Sequence, residues 1–326
     1  MGVTIHDVAA RAGVSVATAS RALSGQRGVR PENRSKVLAA ADALAYQPNA
    51  VAAALRSRTT RSLGVVVPRI ANPFFATLVE EVEQRLHAAD RSLLLANSRY
   101  DPELERRQVG ALLDRQVDAL LMVPCHRARS AEVLAEAAGR VPVVQLDLHV
   151  DGPAASWVGV DNAAGISLVV EHLAALGARR TAFVGAEPTD SAAQARLDGY
   201  RRAAPGEADD VLLGDFSKEW GQRAGALLLD RAELPGAIVC GNDTIALGVL
   251  SALAERGVAV PDEVRVTGFD DIPYAALAQP PLTTVRQPQG AIAAEAVRLL
   301  TARWEGAEPV SQRTAIAPEL VVRAST

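Results

Sequence analysis

Lysine is nearly missing from this chain. Among 34 basic residues only Lys36 and Lys218 are lysines, and the arginine- and alanine-rich remainder suggests a GC-rich genome. Aromatic residues make up 4% of the sequence, so burial falls to alanine, valine and leucine, which suits helices packed on parallel strands. Cysteine occurs twice, at Cys125 and Cys240. Two reduced core thiols are expected, rather than a disulfide or a metal pair. No run of 18 apolar residues occurs, and the opening "MGVTIHDVAARAG" has no apolar signal core. A soluble, cytoplasmic protein without a membrane partner is expected. Catalytic signatures are also lacking. No G-x-G-x-x-G follows the first strand-like run, no P-loop or Ser-His-Asp set is visible, and His6, His87, His126, His149 and His172 are scattered. Neither an enzyme nor a metal site nor a cofactor is expected.

What is present is a long, apolar chain with an uneven charge. Its 326 residues, 49% of them hydrophobic, are enough for two or three domains. Residues 1–61 hold nine basic residues against three acids, a net +6, while the rest of the chain carries −10. A small basic head on a large acidic body is the electrostatic footprint of a nucleic-acid-binding module joined to something else.

The head reads as three short helices. Thr4 with Asp7 forms an approximate capping box, Ile5, Val8, Ala9 and Ala12 make an apolar stripe, and Gly13 ends it. Ser15 can cap a second helix running to about Ser24, in which Ala19 and Leu23 share an inward face. Ala17 and Arg21 are also four apart, on a face free to enter a major groove. A third helix begins near Pro31, with Val37, Leu38, Ala41, Leu44 and Ala45 at helical spacing. Two short helices joined by a Gly-containing turn make a helix-turn-helix.

The stretch "TIHDVAARAGVSVATASRALSG" resembles the N-terminal signature of the LacI family of bacterial transcription regulators, with Ala19 where valine is more usual. The resemblance continues through "YQPN", "NPFF", "CGNDTIALG", "VTGFDD" and "PPLTTVRQP" to the C-terminus. It implies a recognition helix in the major groove, with Arg21 reading a guanine and Val16 and Ala17 at the two variable specificity positions, as in the galactose-repressor type. Both are small and apolar, suited to a thymine methyl. Thr4, Ser15, Thr18, Ser20 and Asn33 suit phosphate contacts, with simple helix capping as the alternative.

"YQPNAVAAALRSRTT" then falls on the family's hinge helix, through Tyr46, Pro48, Asn49, Ala52 and Leu55, with Ala53 where arginine is usual. Ten good helix formers are too few for a stable isolated helix. The resemblance implies that two such hinges pair in the minor groove, where Leu55 wedges between base steps. A segment that folds only on DNA couples binding to the geometry of two subunits.

From residue 61 onward apolar runs alternate with amphipathic helices. "SLGVVVP", "SLLLAN", "ALLMVP", "VPVVQLDL", "RTAFVGA", "GAIVCGN" and "VRVTGFDD" read as strands of parallel sheets. The expected fold is an all-α helix-turn-helix head (1–47), a hinge (48–60) and a periplasmic-binding-protein-like α/β body (61–326) of two parallel-sheet lobes. The lobes are expected at about 61–160 with 291–317, and 161–288 with 318–326. An effector cleft between the lobes is implied, carried by Phe74, Phe75, Asp147, Arg196, Phe216 or Trp220, Asn242 and Asp270. Either Phe of "NPFF" also suits a plain core position, and Asn242 and Asp270 also suit caps.

Three functions compete. The body alone would fit a transport receptor, but the head and the missing signal peptide oppose that. An enzyme finds no support. A ligand-controlled transcriptional repressor fits both parts, acting on palindromic operator DNA as a homodimer. A dimer is expected because the sequence ends on "PELVVRAST", with no terminal heptad helix. A sugar is the family's commonest effector and a purine a minority one.

Overall fold

The computed structural model describes residues 3–25, 28–46, 59–150, 155–204, 210–304 and 311–326. The chain divides after Thr60 into two compact units.

The first unit is helical. α1 (Ile5–Ala12) starts at a complete Thr4–Asp7 capping box and stops at Gly13, whose φ of +65° suits glycine. α2 (Val16–Leu23) starts at Ser15, whose hydroxyl accepts the Thr18 N–H at 3.1 Å. α3 (Pro31–Ala43) has Pro31 in its first turn, where a missing N–H costs nothing. The core is Val8, Ala9, Ala19, Ala22, Val37, Ala40 and Ala41. Ala22 and Ala40 fill it where the sequence pattern pointed to Leu23 and Leu38. Leu23 is only half-buried, and Leu38 faces solvent.

The second unit holds two parallel sheets. β1 (Ser62–Val67), β2 (Ser92–Asn97), β3 (Ala119–Met122), β4 (Val143–Leu146), β5 (Ser156–Val160) and a late strand, Arg313–Ile316, make the first, with β2 and the late strand at its edges. β6 (Thr181–Ala186), β7 (Val211–Gly214), β8 (Ala237–Cys240) and β9 (Arg265–Thr267) make the second, in the order β7-β6-β8-β9. β1 is buried at every position, as a parallel strand covered on both faces must be. β5, β7 and the late strand escaped the sequence reading; "SWVGV", "VLLG" and "RTAI" are short and lack flanking apolar runs.

Helices cover the sheets. α4 (Pro73–Ala88), α5 (Pro102–Asp114) and α6 (Ser130–Ala138) belong to the first lobe. α7 (Asn162–Ala175), α8 (Ser191–Ala203), α9 (Lys218–Leu229) and α10 (Asp243–Glu255) belong to the second. β10 (Thr284–Arg286) bridges to β9 through Thr283 and Thr267, after which α11 (Gln289–Trp304) returns to pack on α4. β11 is the late strand, and β12 (Glu319–Val321) pairs with β10. The chain thus passes between lobes three times, after Val160, Arg286 and Ile316. α9 and α10 meet through glycine: a Cβ on Gly248 would lie 2.1 Å from the Lys218 carbonyl oxygen. Cys125 and Cys240 are buried free thiols. Among the described residues no helix is long and apolar enough to cross a membrane.

Candidate functional site

On the head, capping sets the geometry of α2. Ser15 Oγ and Thr18 Oγ1 lie 2.9 Å apart, so both hydroxyls are engaged at the cap. Thr4 is bonded through its N–H and hydroxyl to Asp7, each at 2.8 Å. Ala17 and Arg21 are exposed on one face, Val16, Thr18 and Ser20 are half-buried, and Arg21 Nε donates to the Ala17 carbonyl at 3.2 Å. That bond uses one of five guanidinium N–H groups. Asn33 is half-buried in the first turn of α3. Asn49, Ala52 and Leu55 lie outside the described residues.

In the body, one cleft gathers residues from the C-terminal ends of both sheets, where open α/β sheets take ligands. Asn72, Phe74 and Phe75 follow β1, Tyr100 follows β2, and Asp147 and Leu148 follow β4. From the second lobe come Ala192 and Arg196 on α8, Phe216 after β7, Asn242 after β8 and Asp270 after β9. Seven of the eight residues named from the sequence therefore meet here. Trp220 does not. Its indole N–H donates to the Gly185 carbonyl at 2.9 Å, and its ring fills the space where a Cβ on Gly214 would lie.

Arg196 organises the cleft. It is 3% exposed. Nε donates to Asn162 Oδ1 at 2.8 Å, NH1 to the Gly241 carbonyl at 2.8 Å and NH2 to Asp270 Oδ1 at 3.4 Å. Its guanidinium lies 3.8 Å over the Phe269 ring. Asp270 also accepts Gln287 Nε2 at 2.7 Å. Asn162 and Gln287 stand at two of the three interlobe passages, so the cleft is bonded to its own hinge.

The carboxylates carry the chemistry. Burial raises Asp147 to about 7; Arg196 opposes the rise, and Asp270 and Asp190 add to it. Burial raises Asp270 to about 6 against the pull of Arg196 and Gln287. Asp190, which caps α8 by accepting the Ala193 N–H at 2.8 Å, is also raised by burial. Asp147 Oδ1 is buried and has no hydrogen-bond partner, a costly arrangement unless something supplies a donor. Asn242 Oδ1 accepts the Ile245 N–H at 2.9 Å, so it caps α10 while lining the cleft. Asp147, Tyr100 and Asp270 all have positive φ, of 55°, 57° and 114°. Such strain collects at functional sites.

Tyr100, Leu148 and Ala192 were missed in the sequence. A tyrosine just past an apolar run, in "NSRYD", was the available signal. The loop "AEPTDSAAQ" supplies Asp190 and Ala192.

A helix-turn-helix head and a two-lobed periplasmic-binding-protein-like body define the class of protein. Residues 4–49 match the model for bacterial regulatory proteins of the lacI family, and residues 170–326 match that for a periplasmic binding protein-like domain. The chain is 34% identical to the HTH-type transcriptional repressor PurR of Haemophilus influenzae (strain PittEE), over 99% of this chain and 98% of that one. It is 32% identical to the HTH-type transcriptional regulator DegA of Bacillus subtilis (strain 168), over 100% and 98%. Among solved structures, the lac repressor dimer bound to operator and the anti-inducer ONPF matches with a TM-score of 0.88 at 28% identity, over 100% of this chain and 99% of that one. The transcriptional regulator CelR–cellobiose complex matches at 0.75 and 32%, over 99% and 100%. The chain belongs to the lacI family of bacterial regulatory proteins. These relatives are transcriptional regulators, not enzymes.

Proposed function

We propose that the protein is a transcriptional repressor that binds a palindromic operator as a homodimer and is controlled by a small hydroxyl-rich molecule, a sugar or sugar derivative, held in the cleft. The reading divides the chain into a DNA-binding head (1–47), a hinge (48–60) and an effector-binding and dimerisation body (61–326). Arg21 reads a guanine, Val16 and Ala17 meet thymine methyls, and Leu55 with Asn49 and Ala52 engages the minor groove. Thr4, Ser15, Thr18 and Ser20 set the register on the phosphates.

The observation that carries the effector reading is Asp147 Oδ1, buried and without a partner in the same cleft as Arg196, Asn242 and Asp270. A ligand hydroxyl supplies the missing donor, and Arg196 and Asn242 address other oxygens. Two lining carboxylates with Asp190 close by disfavour a phosphorylated ligand. One solved relative is a regulator in complex with cellobiose, and another is a repressor dimer bound to operator.

The test is selection of bound duplexes from a random DNA pool by the full chain, repeated with neutral sugars, phosphorylated sugars and purines. A recovered palindrome whose enrichment changes with a neutral sugar is expected, with binding that weakens steeply as salt rises. A non-palindromic product, or no enrichment under any condition, defeats the reading. A response confined to phosphorylated sugars or purines removes its sugar part.

A further inference from the structure

Tyr100 and Phe216 face each other from opposite lobes. Tyr100 follows β2, at the edge of the six-stranded sheet, and Phe216 follows β7, at the edge of the four-stranded sheet. Their rings stack with centroids 6.2 Å apart and planes inclined by 23°. The backbone holds Tyr100 in this place: its φ is +57° and its N–H donates to the Pro68 carbonyl at 3.2 Å. A left-handed conformation is costly for a tyrosine and needs a compensating role. The phenol stands in the field of the Asp190, Asp147 and Asp270 carboxylates, with Arg69 acting in the opposite sense. With the ring there, the free volume of the cleft is about 20 Å³. That is room for a single water, against the roughly 300 Å³ or more of a small-molecule site.

Two backbone amides bridge the lobes elsewhere. The Arg127 N–H donates to the Thr189 carbonyl at 2.9 Å, and the His149 N–H donates to Ser191 Oγ at 2.9 Å. Arg127 and His149 follow β3 and β4; Thr189 and Ser191 follow β6. None of these four residues lines the Tyr100 cleft. Their bonds can form only while the lobes are together, so the two amides report closure.

We propose that Tyr100 determines effector specificity by acting as an internal ligand of the cleft, its ring holding the place against Phe216 that an effector must take. The inference rests on the cleft being the effector site. The side chain offers a flat ring face to Phe216 and leaves Asp147 Oδ1 without a donor. An effector that displaces it must offer a ring with one apolar face for Phe216, and a hydroxyl donor for the unpartnered Asp147 Oδ1. Linear polyols and ligands without a flat face do not meet that requirement.

The test is hydrogen exchange of the full chain, read by mass spectrometry with no effector added, for the unsubstituted protein, Tyr100→Ala, Phe216→Ala and the double variant. The Arg127 and His149 amides are expected to exchange about threefold to tenfold faster in either single variant, the worth of one aromatic pair. The double variant should exchange no faster than the singles. Phenol, which refills the place of the ring as small aromatics fill engineered cavities, should restore protection to Tyr100→Ala. Unchanged exchange at the two amides, additive acceleration in the double variant, acceleration spread evenly over the body, or failure of phenol to rescue would each overturn the proposal. Because no effector is present, the outcome is separate from that of the effector reading. That reading fails instead if no sugar changes DNA binding while the exchange pattern holds.

Discussion

On the recognition helix, Ala17 and Arg21 are exposed, and the hydroxyls of Ser15 and Thr18 are engaged only with the cap of their own helix. In the cleft, Arg196, Asp147 and Asp270 are at most 4% exposed, and Arg196 spends three N–H groups on the protein itself. The first surface is built cheaply, and its polar groups exchange water for a partner without leaving unmet bonds. The second is desolvated in advance, so each group there is already committed or already costly. The supporting cores differ likewise. Five of the seven buried apolar residues described in the head are alanines, while the body packs leucine, valine and phenylalanine on two sheets. Substitutions should therefore cost much in the body and little in the head.

The largest effect is expected at the α9–α10 contact. Gly248→Ala places a methyl group 2.1 Å from the Lys218 carbonyl oxygen, on backbone that cannot swing aside. A loss of about 3 kcal/mol follows, measured by urea unfolding followed through tryptophan fluorescence. All three tryptophans lie in the body, so the signal is confined to it. Gly110→Ala, where a Cβ meets nothing within 4 Å, is the matched control. Equal stabilities for the two variants would defeat the packing argument.

A pair of arginines sharpens the contrast. Arg196→Ala strips the counter-charge from Asp270 and Asp147 and should cost about 3 kcal/mol, along with any effector response, while operator binding is retained. Arg21→Ala should leave stability within about 0.5 kcal/mol and abolish specific binding. Comparable losses of stability in the two variants would show that the faces are not built differently.

How much of this was legible in the sequence follows the same division. The head was readable because its signals are local: Thr4 with Asp7, Ser15 three residues before Thr18, and Pro31 in a first turn all act within four positions. The sheets were readable where strands are long and buried on both faces, as in β1. The cleft was only partly readable, since its residues meet from separate strand ends. Family likeness supplied Arg196, Asp147 and Asp270. Tyr100 came only from the fold, because nothing local says that residues 100 and 216 stack. Trp220 stood as the alternative to Phe216 in what the family resemblance implies. The helix cap at Ser217 turns Trp220 inward against Gly214.

The pH dependence separates the two regions at moderate cost. Asp147 is raised to about 7 in the folded protein, above its ordinary unfolded value near 3.9. Between those values the folded state holds a proton that the unfolded state has lost, so this residue's contribution to stability falls as pH rises and levels off above about 7. Asp147→Asn removes the titration. The variant should be more stable than the unsubstituted protein at pH 8, with the gap closing toward pH 4. A gap independent of pH would show that the carboxyl is ionised in the fold throughout.

The smallest expected effect is Ser15→Ala. Ser15 Oγ accepts the Thr18 N–H at 3.1 Å in a cap near the surface. Without it that N–H turns to water, at a cost of about 1 kcal/mol to α2. The body has no part in that cap, so tryptophan-detected unfolding should not change, whereas helical circular dichroism of the isolated segment 1–46 should melt several degrees lower. Ser15→Asp keeps an acceptor at the same position and adds a negative charge at the helix N-terminus, so it should restore the midpoint. The same charge should weaken DNA binding, because the surface it joins is the one read as facing phosphates. Recovery of stability together with loss of binding would separate the capping role of Ser15 from its role on DNA; recovery of both would leave it a cap alone.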